Sequence, residues 1–252
     1  MSSIVELNGV CLDYPIYSIK AQSLRNAVMN LAVGGKLLKD GHDVVHVNAL
    51  TNISFSLVEG DRLGVIGHNG AGKTTLLKVL AGVYEPTRGR IDVHGRISSM
   101  VDINLGVDWN LTGTENIINM ARRRGHTTKE IKARIPEIVE FSELGAYIDL
   151  PFKTYSAGMC ARLVFAVATT FEPDILLLDE WLGAGDAAFL KKAEAKMSDI
   201  LSKSRVMVIA THNQDLVRHV CNKLLVLNGG KQEYFGSTEK YFADSSSSQP
   251  AA

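Results

Sequence analysis

The chain has 252 residues, 27 Lys and Arg against 27 Asp and Glu, and a hydrophobic share of 46%. That length buries a sizeable core, as one large domain or a core with a subdomain. The balanced charge supplies no basic field for nucleic acid, and no apolar run approaches the roughly 18 residues that suggest a membrane span. Cys11, Cys160 and Cys221 are odd in number and widely spaced, which supports neither a disulfide framework nor a zinc site. The start, Met1-Ser2-Ser3-Ile4-Val5-Glu6, has neither the basic nor the apolar stretch of a signal peptide, and a reducing cytosol is expected.

Ile4 to Val10 alternates like a half-buried strand, and Ile53 to Val58 does so again before the turn Glu59-Gly60-Asp61. Between them, residues 16–47 read differently. Ser23 is placed to cap a helix carrying Leu24, Ala27, Val28 and Leu31 on one face, stopped by Gly34-Gly35 and flanked by Lys20, Arg25, Lys36 and Lys39. Next come an apolar strand, Leu63-Gly64-Val65-Ile66, the glycine-rich run from Gly67 to Thr75, and a helical pattern with Leu76, Leu77, Val79 and Leu80. Turn residues fill Gly82 to Gly89, followed by short strand-like pieces through Val101. The stretch 112–170 is mainly helical, with Thr127 or Thr128 capping a segment toward Phe141 and a longer helix starting near Ala157. Ile175 to Leu178 and Val206 to Ala210 are apolar runs too short and too β-branched for free helices and predict fully buried parallel strands. Leu224 to Leu227, then Asn228-Gly229-Gly230, predicts a strand entering a hairpin turn, and the Ser-rich end, 241–252, is expected to be a disordered tail.

Gly67-His68-Asn69-Gly70-Ala71-Gly72-Lys73-Thr74-Thr75 between a strand and a helix is a phosphate-binding loop. Glycines let backbone N–H groups from Asn69 through Gly70 and Ala71 to Gly72 turn toward phosphates, Lys73 brings a mobile positive charge, and the helix dipole points its positive end at the same place. The Thr74 hydroxyl suits Mg²⁺, and Thr75 is a further phosphate contact. Leu176-Leu177-Leu178-Asp179-Glu180 is an apolar strand ending in two carboxylates: Asp179 suits Mg²⁺ through water, and Glu180 is placed to orient or deprotonate an attacking water. Thr211-His212 follows another buried strand, where a His can reach a γ-phosphate, although a lone His after a strand is more often a plain turn residue. Ser156, in Tyr155-Ser156-Ala157-Gly158-Met159, caps a long helix and with the N–H groups of Ala157 and Gly158 forms a second potential anion site. These elements predict an α/β fold: a P-loop core with a mostly parallel sheet, an N-terminal antiparallel β subdomain and a helical subdomain over 107–170.

The order of these four pieces resembles the ATP-binding cassette (ABC) family over nearly the whole chain, so that 1–240 forms one nucleotide-binding domain with an insert at 16–47. The resemblance implies ATP and Mg²⁺ as ligands, Lys73, Glu180 and His212 as catalytic residues, and Gly183-Ala184-Gly185-Asp186 as the D-loop with Asp186 its acidic member. It also implies that Ser156 and Gly158 of one subunit close over the P-loop of a second copy of the chain.

Three departures from the common pattern narrow the reading. The signature is Tyr-Ser-Ala-Gly-Met in place of Leu-Ser-Gly-Gly-Gln, and no Gln stands between Met100 and Gly106, where Asp102, with Asn104 behind it, is the best positional match. The aromatic loop that stacks on adenine resembles Tyr14-Pro15, with Tyr17 as the alternative, but it lies farther ahead of Gly67 than the family spacing; the insert accounts for this. With Leu105-Gly106 and the run Leu111 to Ile117, these features resemble the ATPase subunits of bacterial polysaccharide exporters of the O-antigen (Wzt-like), teichoic-acid and capsule type. That branch implies an integral-membrane permease as partner, a lipid-linked polysaccharide as substrate, no nucleic acid, and a peripheral position on the cytoplasmic face of the inner membrane. The apolar face of the insert then either meets the membrane or substrate entrance or packs on its own domain. A further carbohydrate-binding domain is not expected after the cassette.

Overall fold

In a computed structural model, the alternating stretch at the N-terminus is a long strand, β1 (Val5–Ile16), antiparallel to β3 (Val45–Leu57) on one edge and to β5 (Arg88–Val93) on the other. The structure describes residues 4–16, 37–39, 45–101, 106–179 and 187–247. They fall into two compact units, one drawn from 1–95, 177–180 and 205–252, the other from 96–176 and 181–204.

In the first unit the antiparallel strands continue into a parallel set. β4 (Arg62–Ile66) lies between β8 (Val206–Ala210) and β9 (Lys223–Asn228), parallel to both, and β9 turns back into β10 (Lys231–Ser237), which reaches β3. The strand order is β5-β1-β3-β10-β9-β4-β8-β7, where β7 is Ile175–Asp179 and the short β2 (Leu37–Lys39) pairs with β3. Every residue of β8 is buried, as expected of a strand covered on both faces. Helix α1 (Lys73–Leu80) buries Leu76, Leu77, Val79 and Leu80. Of the region 16–47, only these strand segments are described; the expected helix from Ser23 to Leu31 and the alternative aromatic Tyr17 lie outside the described residues.

Among its described residues the second unit holds the short strand β6 (Ile97–Ser99) and four α-helices, α2 (Gly113–Arg123), α3 (Thr128–Ser142), α4 (Ala157–Thr170) and α5 (Ala187–Lys203). Two capping boxes set its helix starts. Thr112 accepts from the Glu115 amide while Glu115 accepts from the Thr112 amide, and Thr127 and Glu130 do the same for α3, settling the choice between Thr127 and Thr128. Ile117, Met120, Ile131, Ile138, Leu163 and Val167 interlock at its centre. Its limits are wider than the expected 107–170 because α5 packs on α4: the Phe189 ring meets Phe165 at 5.9 Å and Phe141 at 5.8 Å.

The C-terminus differs from expectation. Residues 241–247, read from the sequence as part of a disordered tail, belong to helix α7 (Thr238–Ser247). Two aromatics just ahead of the serines hold it: the Tyr241 ring meets that of Tyr234 at 4.9 Å, and Phe242 is buried under the Arg218 guanidinium at 4.2 Å. Among the described residues no helix is long and apolar enough to cross a membrane.

Gly64, in the middle of β4, sits under helix α6 (Gln214–Val220), where an added Cβ would lie 2.6 Å from Val217 Cγ1 and 3.3 Å from Cys221 Sγ. Val217 is fully buried and β-branched, so it has little room to yield. Gly64→Ala is therefore expected to destabilise the fold by about 1–3 kcal/mol in urea unfolding, and Val217→Ala in the same chain to recover part of that loss; equal stability of Gly64→Ala and the parent would contradict this packing.

Candidate functional site: a phosphate-binding pocket

The loop from Gly67 to Gly72 is shaped by backbone that crowds it from two sides. A Cβ at Gly67 would stand 2.2 Å from the Leu227 carbonyl oxygen at the end of β9, and one at Gly72 would stand 2.9 Å from the Ala49 carbonyl oxygen of β3. Gly70 faces open space but holds φ at 81°, and Gly72 at 102°, a region that L side chains rarely adopt. Backbone bonds stitch the same region together: Gly230 N–H donates to the Ala71 carbonyl at 3.1 Å, and Thr51 N–H donates to the Gly230 carbonyl at 2.7 Å.

Helix α1 begins at Lys73 with Gly72 as N-cap and no side-chain cap. Its first i→i−4 bond runs from Leu76 N–H to the Gly72 carbonyl at 2.8 Å, so the amides of Gly72, Thr74 and Thr75 precede any intrahelical acceptor and point out of the helix start. Such a start favours anions through both its N–H groups and its dipole. The Ala71 amide behaves otherwise, turned into the loop to donate to the His68 carbonyl at 3.1 Å.

Lys73 is 8% exposed, and its ammonium lies over the loop, donating to the carbonyls of Gly67 at 2.7 Å and His68 at 3.1 Å. The same Nζ stands 3.5 Å from His212 Nε2, so the lysine and the histidine meet although they are far apart in the chain. His212 is aimed by its neighbours: the Thr211 amide donates to the Val65 carbonyl, and the Thr211 hydroxyl accepts from the Asn213 amide at 3.1 Å.

These groups open on one cavity of about 500 Å³ within the first unit. Asn69, Gly70, Gly72, Lys73, Thr74, Thr75, Asp179 and His212 line one part of it, and Tyr14, Val47, Asn48, Ala49, Gly229 and Gly230 the rest. A size in the range of small-molecule sites, the Lys73 ammonium and helix N–H groups at one end and an aromatic at the other suit a nucleotide better than a bare phosphate. Tyr14 stands in β1 opposite Val47, and burial pushes its phenol pKa up while a hydrogen bond with the Thr75 hydroxyl opposes that. The Thr74 hydroxyl and the Asp179 carboxylate face the same space, two hard oxygen donors of the kind Mg²⁺ accepts when phosphate and water supply its other ligands.

Of the residues expected from the sequence, Gly67 and Ala71 stand behind the cavity, while the remaining loop residues, Tyr14, Asp179 and His212 line it. Ser156 belongs to the second unit, where it caps α4 by accepting from the Met159 amide at 3.2 Å, with Gly158 in the exposed first turn. Asp102, Glu180 and Asp186 lie outside the described residues. Sequence reasoning missed Val47, Asn48, Ala49, Gly229 and Gly230. The last two were legible as a turn, but nothing local says that the turn folds against the loop.

The ABC transporter family model matches residues 50–183. The O-antigen export system ATP-binding protein RfbE of Yersinia enterocolitica is 45% identical over 91% of this chain and 96% of its own length. The chain belongs to the ABC transporter family. The teichoic acids export ATP-binding protein TagH of Staphylococcus haemolyticus is 36% identical over 95% of this chain and 87% of its own length. Among solved structures, the ATP-binding subunit of an ABC transporter shares the fold, with a TM-score of 0.69 at 19% identity, covering 97% of this chain and 94% of the other. As a member of this family the chain is an ATPase.

Because residue 230 contributes only backbone to the cavity, it separates loop geometry from side-chain chemistry. A Cβ there would lie 2.5 Å from the Ala49 carbonyl oxygen. Gly230→Ala is expected to displace the hairpin from the loop and weaken ATP binding about tenfold by calorimetry; an affinity within about twofold of the parent would show that the hairpin does not shape the site.

Proposed function

We propose that this chain is the ATP-hydrolysing subunit of a bacterial exporter that moves a lipid-linked polysaccharide, O-antigen in the first instance, across the cytoplasmic membrane. The observation that carries this reading is the likeness to an O-antigen export ATP-binding protein over almost the full length of both chains. The nucleotide-sized cavity around Lys73 supplies the physical half of the case. A teichoic-acid exporter is the second reading, supported by the likeness to TagH at lower identity.

In this reading the amides at the start of α1 and the Thr75 hydroxyl hold the phosphates, and Lys73 leaves its loop carbonyls to pair with the β- and γ-phosphates. Thr74 and Asp179 would hold Mg²⁺. When bound, the ion neutralises charge on the phosphate oxygens. Glu180 orients the attacking water and takes its proton as the oxygen bonds to the γ-phosphorus and the bond to the bridging oxygen breaks, with ADP leaving. His212, beside Lys73, contacts the γ-phosphate. Asp102 stands in for the missing glutamine, and Tyr14 carries the base. Ser156 and Gly158 of a second copy, with Asp186 at the junction, complete each site, so two copies sandwich two ATP molecules. An integral-membrane permease is the further partner, which places the chain on the cytoplasmic face of the membrane as a peripheral subunit.

Glu180→Gln is expected to bind ATP like the parent, to hydrolyse it about 100-fold more slowly, and to accumulate ATP-dependent dimers in size-exclusion chromatography with light scattering. Near-normal turnover would remove Glu180 from its role. Recovery of the chain with ribosomes or DNA and without a membrane partner would overturn the export reading itself.

A further inference from the structure

Two tyrosines meet at the aromatic end of the cavity, and their geometry gives them different tasks. The rings of Tyr14 and Tyr84 lie 5.3 Å apart at an interplanar angle of 80°. A base stacked flat on one ring is therefore nearly perpendicular to the other, so only one of the two serves as a platform. Tyr14 lines the cavity and Tyr84 does not, which makes Tyr14 the platform and Tyr84 its edge support.

The ring contact on Tyr14 traces back to the helix of the phosphate site. The Tyr84 ring meets the Tyr14 ring edge-on, and the Thr75 side chain acts on the Tyr14 phenol, opposing the rise in its pKa. Thr75 is in the first turn of α1. Tyr84 is tied to the far end of that helix: the amides of Val83 and Tyr84 donate to the Lys78 carbonyl at 2.9 and 3.4 Å, and the Lys78 ammonium lies 5.7 Å from the centre of the Tyr84 ring. Tyr14 itself comes from β1, which pairs with β3 and β5 and has no backbone link to α1 in its register.

We infer that Tyr84 is a positioning residue for base recognition: its ring holds the Tyr14 ring edge-on and ties it to the helix that carries the phosphate site, so that base platform and phosphate loop are held as one recognition unit. The inference rests on the reading of Tyr14 as the base platform. Its consequence is selective. Tyr84 touches neither base nor phosphate, yet its loss weakens ligands that carry a base and spares ligands that carry only phosphates.

The test uses the whole chain and two Mg²⁺-loaded probes, ATP and inorganic tripolyphosphate, with dissociation constants measured by calorimetry for Tyr14→Ala, Tyr84→Leu and Tyr84→Phe. Stacking is worth enough that Tyr14→Ala is expected to weaken ATP about tenfold or more, and Tyr84→Leu about three- to fivefold because the platform survives without its support. Tyr84→Phe keeps the ring edge and loses only the hydroxyl, so a shift of about twofold is expected. Tripolyphosphate affinity stays unchanged in all three. If Tyr84→Leu binds ATP like the parent while Tyr14→Ala does not, Tyr84 has no positioning role and the platform reading stands. If Tyr14→Ala binds ATP like the parent, the platform reading fails. If Tyr84→Leu weakens both probes equally, its role is general packing and the inference is overturned.

Discussion

The site depends on close approach of backbone to backbone. Carbonyl oxygens of Leu227 and Ala49 occupy the space that side chains at positions 67, 72 and 230 would need, so the phosphate loop, the edge of β3 and the hairpin between β9 and β10 pack with nothing between them. Three segments distant in sequence thereby become one wall. Their mutual hydrogen bonds, from Gly230 to Ala71 and from Thr51 to Gly230, satisfy polar groups that so tight a junction would otherwise bury unpaired. The amides at the start of α1 then face the cavity because the loop has no slack to fold over them.

Charge follows from that geometry. The loop carbonyls of Gly67 and His68 converge on the Lys73 ammonium, which is held nearly out of solvent with His212 beside it. Neutral acceptors hold it only loosely compared with the anionic oxygens of a triphosphate, and exchange of one for the other strengthens each bond as the ligand enters. The parallel strands β4 and β8, with β7 beside them, bring Lys73, His212 and Asp179 to one cavity at the sheet, the place where open α/β sheets bind their ligands.

How much of this was legible in the sequence depends on how local the cause is. The phosphate loop was, because glycines, lysine and threonines stand together between an apolar strand and an apolar-faced helix. The helix starts at Thr112, Thr127 and Ser156 are likewise set within three or four residues of themselves. The wall formed by Val47, Asn48, Ala49, Gly229 and Gly230 was not, since it exists only once β3 and the hairpin reach the loop. The contact between Tyr14 and Tyr84 belongs to the same class. At the C-terminus composition misled: the serines suggest disorder, while Tyr241 and Phe242 hold a helical turn against aromatic and cationic partners.

The family and the cavity together describe a motor, and the polysaccharide is its proposed cargo. The most direct test reconstitutes the chain with its membrane partner in vesicles carrying a lipid-linked polysaccharide on the outer, chain-bearing face. The account predicts that ATP drives the glycan into the lumen, where it becomes protected from added glycosidase, and that Lys73→Ala abolishes this protection. Protection at the same rate without ATP, or brisk hydrolysis with the glycan left outside, would contradict it.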